Sequence, residues 1–153
     1  MLRDRLPQFI LALAVGLWLG GLTFYAVIVV PIGTEIVGGT EQGFITQRVT
    51  NWLNAIGVVA ILGLGANVWW RQRTRANVIT WILTAALQVS LLGIHPLLDG
   101  QLDLANRTVR DASWFYACHR VYLILTASIW LTCLAHVWLI GRPIANPVSA
   151  PLE

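Results

Sequence analysis

Phe9-Ile-Leu-Ala-Leu-Ala-Val-Gly-Leu-Trp-Leu-Gly-Gly-Leu-Thr-Phe-Tyr-Ala-Val-Ile-Val-Val-Pro-Ile32 carries no charge, and only glycines and Thr23 interrupt its apolar character. A helix needs about 20 mostly apolar residues to cross a bilayer, and this stretch supplies them. Three further stretches of the same kind follow, so that the spans fall at about 7–30, 52–70, 78–95 and 115–140. The expected fold is all-α: an integral membrane, antiparallel four-helix bundle. Residues 1–142 form one transmembrane domain and residues 143–153 read as a flexible, Pro-rich cytoplasmic tail. No length remains for a separate soluble domain.

Composition agrees. Charged residues make up 11% of the chain and hydrophobic residues 57%, against roughly 25% charged in soluble domains. The first stretch is too long for a secretory signal, whose apolar core covers only about 7–15 residues. It therefore reads as a retained helix.

All ten basic residues are arginine. Arg3, Arg5, Arg71, Arg73, Arg75 and Arg142 lie at the termini and in the second loop, whereas Glu35, Glu41, Asp99, Asp103 and Asp111 lie in loops one and three. The positive-inside rule places both termini and the Arg71–Arg75 loop in the cytoplasm. The short loops and all-arginine basic set suit a bacterial inner membrane. The net charge of +3 then describes orientation in a lipid bilayer, and no nucleic-acid partner is expected. Cys118 and Cys133 share the last helix, about 22 Å apart at 1.5 Å per residue, too far for a disulfide.

Local signals set further expectations. Gly16 and Gly20 on span one, and Gly57 and Gly63 on span two, form small-residue faces that allow close helix packing. Pro31 is expected to stop the first helix and Pro96 to end or kink the third. Residues 33–50 read as a polar, Gly-rich loop whose second half is a short helix. Leu98, Leu102, Ala105 and Val109 recur at helical spacing, which predicts a short interfacial helix in the third loop. Asp111 or Ser113 should cap the last helix.

The candidate site lies where spans three and four meet. His95 ends one and His119 starts the other, with Asp99 and Asp103 following His95 at four-residue steps and Tyr116 and Tyr122 flanking His119. Three readings compete: interface residues that fix the loop, a copper or zinc site of imidazoles and carboxylates, and a b-type haem held by the two histidines. A second polar set, Gln88, Ser128, Thr132 and His136, forms an intramembrane stripe that Thr23 would complete as a hydrogen-bonded seam between helices. No inverted repeat or broken-helix pair points to transport, and no His-Glu-x-x-His or nucleophile elbow points to hydrolysis.

Trp18-Leu-Gly-Gly21, Phe24-Tyr25, Pro31, Gln42-Gly-Phe-Ile-Thr-Gln47 and Asn51-Trp-Leu-Asn54, with Phe115-Tyr-x-x-His119-Arg-x-Tyr-Leu123, resemble a group of small bacterial four-helix membrane proteins of undefined activity. They also resemble, loosely, the class of transmembrane protein 205. The Trp-x-Gly-Gly of helix one is similar, more faintly, to the copper-resistance D membrane domain. The resemblance implies the fold, the membrane location and a role for His119. The expected function is a non-enzymatic accessory or assembly subunit, with membrane protein subunits or further copies as partners. The alternative is a metal- or haem-binding redox protein using His95 and His119.

Overall fold

A computed structural model describes residues 2–71 and 73–141; Arg142 and the expected tail, 143–153, lie outside the described residues. The fold is all-α with four helices long and apolar enough to cross a membrane, Leu6–Val37, Gly39–Trp70, Arg75–Asp99 and Ala112–Ile140. The four expected spans each fall within one of them.

The first of the four is not one α-helix. It consists of α1 (Leu2–Phe24), a π-helical turn (Tyr25–Val29) and α2 (Val30–Val37). The expectation that Pro31 stops the helix is corrected here. In the wide turn the Val30 N–H reaches back to the Tyr25 carbonyl, one residue before the proline that has no N–H to give. The π turn absorbs both the missing donor and the ring clash. The start is corrected as well: the helix begins at Leu2, ahead of Pro7.

Loop one shrinks to a single residue. Gly38 adopts φ 88°, a left-handed conformation that favours glycine, and α3 (Gly39–Trp70) begins immediately after it. Of the stretch 33–50, residues 33–37 end α2 and 39–50 are the first three turns of α3, so the short helix expected in its second half is the start of a long one. Thr74 caps α4 (Arg75–Asp99) by accepting from the Asn77 N–H at 3.2 Å. Pro96 lies inside α4, which continues one turn beyond it.

The expected interfacial helix in the third loop is not formed. Residues Leu102–Asp103 (β1) and Thr108–Val109 (β2) pair as a small antiparallel hairpin, and the Arg110 N–H donates to the Gln101 carbonyl at 2.9 Å. The Asp103 carboxylate accepts from the N–H groups of Ala105 and Asn106 and from the Asn106 side chain. Arg107 then takes φ 53°, which closes the turn. This local bonding competes with helix, and Gly100 ahead of it favours the break. The apolar spacing that suggested a helix places Leu102 opposite Val109 across the hairpin.

Asp111 caps α5 (Ala112–Ile140), accepting from the Trp114 N–H at 3.0 Å and from Ser113 Oγ at 2.8 Å. The main packing seams are α1–α3, α2–α3, α3–α4 and α4–α5. Glycines let these helices approach. A Cβ on Gly57 would lie 2.5 Å from Trp18 Nε1, one on Gly65 2.6 Å from Trp81 Cε2, and one on Gly63 2.8 Å from Leu11 Cδ1. Trp81 Nε1 also donates to the Ile61 carbonyl at 2.9 Å. Gly16 and Gly20 differ, because no described atom stands within 4 Å of a Cβ built on either. Among the described residues they meet no other helix.

Candidate functional site

The residues at the hairpin end build a cavity of about 470 Å³ whose walls come from α2, α3, α4, the hairpin and α5. Its polar floor is a ladder on α3. Gln42, Thr46, Thr50 and Asn54 recur every four residues and so share one helix face. Tyr25 Oη donates to Thr46 Oγ1 at 3.0 Å, and Gln42 Nε2 donates to Tyr25 Oη at 3.2 Å. Gln42 is buried, and Gly33 leaves it room, since a Cβ there would overlap the amide. Asn54 Nδ2 donates to Tyr122 Oη at 3.3 Å.

His95 occupies the α4 wall. The helical path survives Pro96, so Asp99 lies one turn on, with its Oδ2 3.1 Å from His95 Nδ1. Thr50 Oγ1 is 3.1 Å from His95 Nε2, and the Tyr122 ring packs edge-on at 5.7 Å. A carboxylate on Nδ1 favours a hydrogen there, while His95 Nε2 and the Thr46 carbonyl, 2.7 Å from Thr50 Oγ1, compete for the one Thr50 hydroxyl hydrogen.

His119 lies on the α5 wall of the same cavity, half-buried, stacked on Phe115 with ring centroids 5.9 Å apart. Neither of its ring nitrogens has a hydrogen-bond partner among the described residues. Tyr116 also lines the cavity. The two histidines and Asp99 are therefore brought together at one chamber, as their spacing suggested.

Asp103 is not part of it. The bonds from Asn106, first backbone and then side chain, hold its carboxyl below the usual aspartate range, and the group serves the hairpin turn. Glu41 pairs with Arg107, which ties the hairpin to the start of α3. Glu35 is exposed and makes no contact with the histidines that the structure records.

The other end, by the Arg71–Arg75 loop, is packed. His136 is fully buried, with Nδ1 2.7 Å from Thr80 Oγ1 and Nε2 unpartnered. The expected seam of Gln88, Ser128, Thr132 and His136 is not continuous. Thr132 donates to the Ser128 carbonyl on its own helix, and neither amide atom of buried Gln88 has a partner among the described residues. Thr23 accepts instead from Trp130 Nε1 at 3.0 Å, joining α1 to α5. Arg73 stacks over Trp69 at 4.1 Å, a cation–π contact at the helix end.

Sequence reasoning missed Gln42, Thr46, Gln47, Thr50, Asn54 and Thr80. The four-residue recurrence on α3 was the available signal. Compared with known protein families, with curated proteins and with solved structures, the chain finds no match.

Proposed function

We propose that the chain is a non-enzymatic, multi-pass protein of a bacterial inner membrane that serves as an accessory or assembly subunit. The helix pairings, Trp18 with Gly57, Trp81 with Gly65, His95 with Thr50 and His136 with Thr80, fit an antiparallel bundle. Large exposed side chains such as Phe9, Leu13, Leu17, Val59, Leu62 and Ile124 suit lipid, which is as apolar as they are. The termini and the Arg71–Arg75 loop would face the cytoplasm, and the hairpin end would face outward.

The observation that carries the subunit reading is the contrast among the glycines. Those that meet another helix of the chain are filled by an indole, a leucine or the Gln42 amide, while Gly16 and Gly20, one turn apart on the first span, are exposed with open space where a Cβ would stand. A helix of a second subunit or a second copy fits that space by close backbone approach. Gly16→Leu and Gly20→Leu should shift the protein to smaller species in mild detergent on a native gel. Unchanged migration of both variants would overturn the reading.

The metal or haem alternative is favoured by one observation, that His95 and His119 line the same cavity. Among the described residues no three His, Cys, Asp or Glu side chains gather, so copper or zinc lacks a third protein donor. A haem needs only two, and ligation through His95 Nε2 would keep Asp99 on Nδ1 and give up Thr50. Iron, copper and zinc analysis of gently purified protein tests it: stoichiometric metal lost in His95→Ala and His119→Ala would restore this alternative.

A further inference from the structure

We propose that the cavity at the hairpin end binds a neutral, lipid-soluble ring carrying hydroxyl groups, a molecule of the quinol class, which enters sideways between α2 and α5.

The mouth is lateral. Ala26 and Thr34 on one wall and Tyr116 and Leu123 on the other line the cavity, and all four are exposed rather than covered by a neighbouring helix. The α2–α5 seam is not among the main packing seams. Ala26 and Leu123 lie within the apolar helices, so a ligand reaching the mouth at that level arrives from apolar surroundings. At about 470 Å³ the chamber falls within the range of about 300–1,000 Å³ that small molecules occupy.

Charge narrows the ligand. No arginine lines the cavity, and the chain has no lysine. The one carboxylate on its wall, Asp99, is paired with His95. A phosphate or carboxylate headgroup would meet a like charge with no guanidinium to offset it, so the ligand is uncharged.

Hydrogen bonding narrows it further. Gln47 lines the α3 wall; its Oε1 is fully buried and out of a ligand's reach, so the amide N–H is the group that can meet a ligand. That N–H calls for an acceptor, which a ligand hydroxyl oxygen supplies. On the α5 wall His119 offers a second polar contact beside the flat face it shares with Phe115. Aromatic walls favour a ring, and polar groups on two walls favour oxygens at two positions on it. The proposal concerns binding alone; no bond is made or broken.

The test is equilibrium binding of a radiolabelled short-chain benzoquinol to the full chain in phosphatidylcholine nanodiscs, with empty nanodiscs as the baseline. Saturable uptake of one molecule per chain is expected, reduced at least tenfold in His119→Leu and in Gln47→Leu. The matching benzoquinone has no hydroxyl hydrogen for His119 and should bind about three- to tenfold more weakly. Gly16→Leu should bind like the unaltered chain, which separates this inference from the subunit reading. If His119→Leu lowers the thermal midpoint, Ala26→Trp, which adds bulk at the exposed mouth, should abolish uptake instead. Uptake equal to that of empty nanodiscs, uptake unchanged in the variants, or displacement of the probe by phosphatidylglycerol would each overturn the proposal.

Discussion

The two ends of this bundle use polar residues in opposite ways. Toward the Arg71–Arg75 loop, Thr80 and His136 meet inside a fully packed interior with Trp81 against Gly65, and little space is left. At the hairpin end a larger polar set, Gln42, Thr46, Gln47, Thr50, His95 and His119, surrounds an open chamber. One end has the arrangement of a structural seam. The other holds polar groups in place without filling the space between them, which is the arrangement of a binding site.

Identical substitutions in the two kinds of glycine should separate most widely. Gly57→Leu drives a side chain into the Trp18 indole, where overpacking costs about 3 kcal/mol or more. It should lower the thermal midpoint sharply in detergent. A Cβ at Gly16 meets no other helix among the described residues, so Gly16→Leu should leave that midpoint unchanged. Equal losses would break the comparison.

Thr80 sharpens it. Thr80→Val strands buried His136 and should destabilise the chain by about 0.6–2 kcal/mol. Adding His136→Leu should recover most of that loss, because removing both partners is milder than removing one. A double variant no better than Thr80→Val would show that the histidine does more than hold the helices. In the cavity, Gln47→Leu should leave the midpoint unchanged or raise it slightly, since it removes an acceptor that has no protein partner.

The smallest effect belongs to the hairpin. Asp103 has a lowered folded-state pKa through its bonds from Asn106. Its contribution is therefore fully present above the ordinary aspartate value of about 3.9 and is lost as pH falls through the lower folded value. Amide exchange at residues 102–109 should rise over that acid range in the unaltered chain and show no such step in Asp103→Asn. An identical acid step in both would remove Asp103 from the account of the turn.

The four helices were legible because long apolar runs leave few alternatives. Their joints were not. Pro31 read as a stop and Pro96 as an end or a kink, yet a π turn absorbs the first, and α4 continues for one turn past the second. Residues 33–50 read as a loop with a short helix in its second half, although only Gly38 breaks the helical path. The face that Gln42, Thr46, Thr50 and Asn54 share becomes continuous only because that short helix runs on into the second span. Leu98, Leu102, Ala105 and Val109 suited a helix equally well on spacing. The Asp103–Asn106 bonding decided for a hairpin. His95, Asp99 and His119 could be placed together from topology alone, since one short segment joins the ends of their two helices.

The most direct test of the contrast between the ends is thiol accessibility in a background with Cys118→Ala and Cys133→Ala. Single cysteines replace Gln47 or His119 at the cavity, and Thr84 or His136 in the packed interior, and each is exposed to a small, membrane-permeant thiosulfonate. Fast labelling at 47 and 119 with protection at 84 and 136 is the predicted result. Comparable rates at all four positions would contradict the account.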